Sequence, residues 1–112
     1  MEFIDKPLTR QEIINLQKKF GNYIKLTVDL KKGWITAGGE LHADGEKKLL
    51  KKGSRQDDIW GGGVNLRNKQ IDTTAILNLR PKLNNDSLEI LDTARREKFI
   101  NIVKKCFQEL WL

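Results

Sequence analysis

Residues 23–30 alternate without a break: Ile24, Leu26, Val28 and Leu30 fall on one side, Tyr23, Lys25, Thr27 and Asp29 on the other. A strict period of two is a half-buried strand, because the apolar residues of a helix recur every three or four positions. Lys31-Lys32-Gly33 is a turn signal, and Trp34 to Gly38 reads as the partner strand. Packing on one face fixes the register of this hairpin.

The segments around the hairpin read as helices and further strands. Thr9-Arg10-Gln11-Glu12 has the form of a capping box, in which the hydroxyl and the carboxylate satisfy two orphan amides. Ile13, Leu16 and Phe20 follow at helical spacing and Gly21 offers a C-terminal exit, so a helix is expected from Arg10 to Phe20. Asp44 reads as the N-cap of a short second helix that buries Leu49 and Leu50 and ends at Gly53. Ile59-Trp60 opens a third strand, interrupted at Gly61-Gly62-Gly63 by a bulge or hinge and resumed at Val64 to Leu66. Arg67 to Gln70 is a turn, and Ile71 to Arg80 is a fourth strand halted by Pro81. Asp92 caps the last helix, whose stripe is Phe99, Ile102, Val103, Cys106, Phe107 and Leu110. The order α-β-β-α-β-β-α implies an α+β fold: one domain over 1–112, a mostly antiparallel four-stranded sheet, and the long C-terminal helix packed on one face.

Charge and cysteine content bound the setting. The 112 residues carry 21 basic and 15 acidic side chains, a net charge of +6 that permits polyanion binding. Its one local concentration is Lys47, Lys48, Lys51, Lys52 and Arg55. The same lysines also read as a solvated helix face. A single cysteine, Cys106, excludes an internal disulfide, suits a reducing cytosol and sits on an apolar stripe. The opening Met1 to Lys6 has two acids and no apolar run, and no stretch is long and apolar enough for a membrane span. A cytoplasmic protein without membrane contact is expected.

Gly38-Gly39-Glu40-Leu41-His42-Ala43-Asp44 holds the only histidine, the one side chain that titrates near neutrality unperturbed. Glu40 and His42 share a side if extended. Asn78 and Arg80 point away from the presumed core of the fourth strand, and Asn65 does so in the third. A cluster of Glu40, His42, Asn65, Asn78 and Arg80 is therefore allowed. It contains a carboxylate and an imidazole for proton transfer, an arginine for an anionic group, and amides for orientation. The competing reading is that these are separate solvated residues and turn-formers. Glu40, His42 and Asp44 have metal-ligand chemistry, but one histidine and no cysteine pair exclude the usual structural zinc site. No metal and no cofactor is expected. The triple glycine lacks the Gly-Lys-Ser/Thr ending of a phosphate loop. Trp60 reads either as a base-stacking platform or as a core aromatic.

Four blocks in order, residues 38–44, Gly53-Ser54, Asp58-Ile59-Trp60-Gly61 and Leu77-Asn78-Leu79-Arg80-Pro81, resemble a bacterial family, domain of unknown function 5674. The resemblance runs over nearly the whole chain. The glycine run before Asn65 is longer here than the family pattern, and the connector to the fourth strand is shorter. The resemblance implies a small bacterial protein and brings no catalytic residues with it.

Two functions from different classes follow. One is a toxin-like, metal-independent ribonuclease: Glu40 or His42 moves a proton during 2′-hydroxyl attack, and Arg80 with Lys47, Lys48, Lys51 and Lys52 holds phosphates. The other is a non-catalytic module that binds a partner protein or nucleic acid through its sheet face or the lysine-rich helix, with Asn78 and Arg80 in recognition; Asn65 and Arg55 are further candidate binding residues.

Overall fold

The computed structural model describes residues 1–112. Its strands are β1 (Glu2–Ile4), β2 (Tyr23–Asp29), β3 (Trp34–Ala37), β4 (Ile59–Asn65) and β5 (Ile71–Asp72). Its helices are α1 (Arg10–Phe20), α2 (His42–Lys52) and α3 (Thr93–Cys106). The five strands form one sheet in the order β1-β3-β2-β4-β5, and every neighbouring pair is antiparallel. The fold is thus α+β with an antiparallel sheet, as the alternation implied, but with five strands rather than four.

The alternation of β2 sorts the molecule into layers. Ile24, Leu26 and Val28 join Ile35, Val64, Ile13 and Leu16 of α1, and Phe99 and Val103 of α3, in one buried cluster. The C-terminal helix therefore packs on the sheet as expected, with α1 beside it. The opposite face carries Tyr23, Lys25, Thr27 and Asp29, and α2 lies across part of it. Gly45 makes this close approach: a Cβ there would collide with the hydroxyls of Thr27 and Thr36. The helix that carries the lysines is therefore seated on the polar face through a glycine.

Two of the expected caps are present. Thr9 Oγ1 accepts from Glu12 N at 3.1 Å and Glu12 Oε1 accepts from Thr9 N at 2.9 Å, the reciprocal box that starts α1. Asp92 Oδ2 accepts from Arg95 N at 2.8 Å and starts α3. Asp44 is not a cap. The N-cap of α2 is Leu41, without a side-chain bond, and Asp44 lies inside the first turn, where its charge still favours the helix dipole.

Three strand expectations change. The edge strand β1 was not foreseen, because three residues show no periodicity; it gives Ile4 to the core and Phe3 to the α2 side. The strand β4 runs uninterrupted through Gly61-Gly62-Gly63, with each residue paired in register to β2. The expected fourth strand over 71–80 ends at Asp72. Asp72 Oδ1 accepts from Thr74 N and Thr74 Oγ1, an Asx turn that bends the chain away. Single 3₁₀ turns at Ile76–Asn78 and Pro81–Leu83 follow.

The thiol of Cys106 is buried, and that burial pushes its pKa up to about 12. It is a protonated packing group at neutral pH.

Candidate functional site

The triple glycine is where the structure departs most from a generic strand, because each glycine receives an aromatic ring. The His42 ring lies over Gly61, the Tyr23 ring over Gly63, and the Phe99 ring over Gly62 from the opposite face. A side chain at any of the three would occupy ring space. Glycine is required here for close approach and not for a hinge.

His42 is the first residue of α2, and its Nε2–H donates to the Gly62 carbonyl at 2.7 Å. A carbonyl only accepts, so this bond fixes the proton on Nε2 and leaves Nδ1 as an acceptor. Burial lowers the pKa of His42 and Lys25 adds to that, against the Gly62 bond and the Asp72 charge, which raise it. The ring is therefore neutral at pH 7. A histidine whose folded pKa is depressed supports the fold above its unfolded value of about 6.5 and loses that support as pH falls through it. The thermal midpoint is expected to drop between pH 7 and pH 5. His42→Gln, which keeps a donor for Gly62 without a titrating ring, is expected to flatten that part of the profile. An unchanged slope in the variant would assign the pH dependence to other groups.

The partners foreseen for His42 are elsewhere. Gly38 and Gly39 both have positive φ (91° and 86°), so the chain turns before α2 and Glu40 and His42 do not share a strand side. The Glu40 carboxylate is exposed and makes no hydrogen bond; only its carbonyl is used, by Lys25 Nζ. Arg80 is a staple: Nη1 donates to the Ile59 and Gln56 carbonyls at 2.6 and 3.0 Å, and Nη2 pairs with Glu46 of α2 at 2.8 Å. Asn65 Oδ1 accepts from the amides of Arg67 and Asn68 and shapes the turn after β4. Asn78 is fully buried, with its amide spent on backbone groups. Lys25 and Asp72 are instead the charges that act on His42, and Tyr23 is bonded to Asp72. Tyr23 Oη donates to Asp72 Oδ2 at 2.9 Å, and burial together with that bond raises the phenol pKa, so Tyr23 stays neutral. These three stand on the face that the period of two assigns to the polar side. Sequence reasoning missed them because a tyrosine, a lysine and an aspartate spread over 49 residues have no local pattern.

Trp60 is a core aromatic. It is fully buried, its indole N–H donates to the Asp57 carbonyl at 3.0 Å, and the guanidinium groups of Arg95 and Arg80 lie 4.2 and 5.0 Å from its ring centroid.

The second assembly lies at the other end of α2. Phe3 of β1 and Trp34 of β3 stand on the α2 side, half-buried, with ring centroids 5.6 Å apart and planes at 68°. Lys52 Nζ sits 4.4 Å from the Phe3 centroid and Lys32 Nζ 4.6 Å from that of Trp34. Lys48 lies one turn before Lys52 on the same flank, within electrostatic range of Glu2. Lys47 and Lys51 face outward, and Arg55 is exposed just after the helix. Of the 21 basic side chains, only Lys19 and Arg80 pair with a carboxylate. The lysines of α2 are therefore unneutralised cations.

Five antiparallel strands with helices on both faces, and a flank where lysines cover aromatic rings, define the class: a small, basic α+β protein. The chain belongs to the family described as protein of unknown function (DUF5674), whose model matches residues 2–106. No curated protein and no solved structure matches it. No helix is long and apolar enough to cross a membrane.

Proposed function

We propose that the protein is a non-catalytic module that binds single-stranded nucleic acid across the Phe3–Trp34 edge and the Lys48–Lys52 flank of α2. The observation that carries this reading is the pair of half-buried rings, each covered by an ammonium group that has no carboxylate partner. Aromatic faces stack on unpaired bases, and lysines beside them neutralise phosphates. In the bound state the ammonium groups of Lys32 and Lys52 move from the ring faces to the phosphates. The rings then become platforms for successive bases. A base pair hides its faces inside a duplex, so the preference is for single strands.

The catalytic alternative draws on Glu40, His42 and Arg80. Arg80 is engaged by Glu46 and two carbonyls, and His42 bonds neither of the other two. These placements favour binding over catalysis.

The test is a titration of the protein with fluorescent single-stranded and duplex oligonucleotides at several salt concentrations. Stacking contributes about 1–3 kcal/mol per base, so Trp34→Ala is expected to weaken single-strand binding by roughly 5- to 150-fold. Removing three phosphate contacts with Lys32→Ala, Lys48→Ala and Lys52→Ala together is expected to lower the slope of log K against log salt by about 2. Equal affinity for duplex and single strand, or a Trp34→Ala variant that binds like the parent, would sink the proposal.

A further inference from the structure

On the α3 side of the sheet, beside the turn at Lys32-Gly33, lies a cavity of about 290 Å³. Its apolar lining includes Ile4, Ile35 and Ile102. Lys6, Lys32 and Lys105 also line it, together with Asp5. None of these three lysines lies within ion-pair distance of a carboxylate, Asp5 included. Lys32 belongs to both places, since its ammonium covers Trp34 and its side chain lines the cavity. Asp5-Lys6-Pro7 forms one wall, and the next residue ties it to the end of α3 by the Leu8 N–H bond to the Cys106 carbonyl at 2.9 Å.

We infer that this cavity holds the terminal nucleotide of a bound strand and that Lys6, Lys32 and Lys105 hold its terminal phosphomonoester. The assignment rests on the single-strand reading above and names the part of the ligand that it leaves open. Three arguments support it. The cavity has the volume that a base or ribose fills, and its isoleucines stand beside the charged side chains of Asp5, Lys6, Lys32 and Lys105. A phosphomonoester carries close to two negative charges near pH 7, where a chain-internal diester carries one, and three unpaired ammonium groups match the larger charge. The strap at 5–7 walls the cavity on one side, which suits the end of a strand better than passage of its middle. Lys32 is the one residue shared by the cavity and the Trp34 face.

The experiment compares one single-stranded oligonucleotide in three forms: with a 5′-phosphate, with a 3′-phosphate, and with hydroxyls at both ends. One of the phosphorylated forms is expected to bind at least ~10-fold more tightly than the unphosphorylated form, the scale of a charge-assisted hydrogen bond. Lys6→Ala with Lys105→Ala is expected to erase that advantage, so that the variant binds all three forms with the same affinity. Both lysines are exposed, and neither pairs with a carboxylate, so the variant keeps the fold. If all three forms bind alike, or the advantage survives in the double variant, the cavity assignment fails and the stacking face stands. If no form binds, both fail together.

Discussion

Asn78→Ala is expected to lower the stability of the protein by about 3–5 kcal/mol, measured by urea denaturation, because one buried amide closes the open edge of β4. The strand β5 is only two residues long and ends at Asp72, so the backbone of Gly61 has no strand partner on that side. Asn78 supplies one. Its Oδ1 accepts from Gly61 N at 2.8 Å and its Nδ2 donates to Gly61 O at 2.9 Å, the donor and acceptor pattern of a peptide group. The same Nδ2 lies 3.0 Å from the Leu88 carbonyl and 3.2 Å from that of Thr73. Truncation strips a donor from buried carbonyls and an acceptor from a buried N–H, each costing about 1–3 kcal/mol. Against a total stability of about 5–15 kcal/mol, that is a large share. Asn78→Asp should be no better, since it turns the donor into a charged acceptor facing carbonyls. A loss below about 1 kcal/mol in Asn78→Ala would mean that the edge closes without it.

Asn78 also shows where the sequence stops being legible. Periodicity carries β2, whose face assignments hold residue by residue, because alternation against a core leaves only one register, and β3 pairs with it as the expected hairpin partner. Capping chemistry carries α1 and α3, because Thr9-x-x-Glu12 and Asp92 bond to amides within three residues. Both signals are local. The 73–91 segment is held by long-range side-chain bonds instead. Asn85, also fully buried, donates to the Asn78, Ser87 and Glu89 carbonyls and accepts from Leu91 N. Read as a strand, the segment puts Leu79 inside and Asn78 outside. In the fold Leu79 is 51% exposed, Ile76 is 80% exposed and Asn78 is buried. Two amides outweigh the apolar pattern because unpaired backbone in the interior costs more than leaving a leucine and an isoleucine in water.

The candidate cluster divides in the same way. Glu40 and His42 were placed together by assuming an extended chain, and the paired left-handed glycines before them turn it into a helix start. Arg80 was read as an anion holder because an arginine beside a lysine-rich helix has that charge, but Glu46 of that helix reaches it first. The lysines were visible as a row. The rings that give Lys52 and, outside that row, Lys32 a binding context come from β1 and β3, 49 and 18 residues from Lys52, and β1 has no sequence signal at all.

Gly62→Ala is expected to cost at least ~3 kcal/mol, the upper end for overpacking, and the reason separates it from its neighbours. A Cβ at Gly62 would meet the Asp72 carbonyl oxygen, a backbone atom, and the Phe99 ring at 2.7 Å. Phe99 is fully buried and cannot swing aside without opening the cluster under α3. The Asp72 carbonyl can retreat only if β5 unpairs from β4, which also disturbs the bond from Tyr23 to the Asp72 carboxylate. At Gly61 the added atom meets the Ala75 Cβ at 2.7 Å and the His42 ring at 3.0 Å, both side chains, one of them on a helix terminus that can shift. Gly61→Ala should therefore cost less. Gly33→Ala separates crowding from backbone strain: Gly33 has φ +74° and nothing within 4 Å of the added atom, so its cost should be only the ~1–2 kcal/mol of a left-handed residue. Pairing Gly62→Ala with Phe99→Leu should recover the ring's share of the clash and leave the carbonyl's share in place. Full recovery would show that β5 yields freely, and no recovery would show that the backbone contact alone forbids a side chain on the middle glycine. A Gly62→Ala midpoint equal to that of the parent protein would contradict the account of three glycines as seats for three rings.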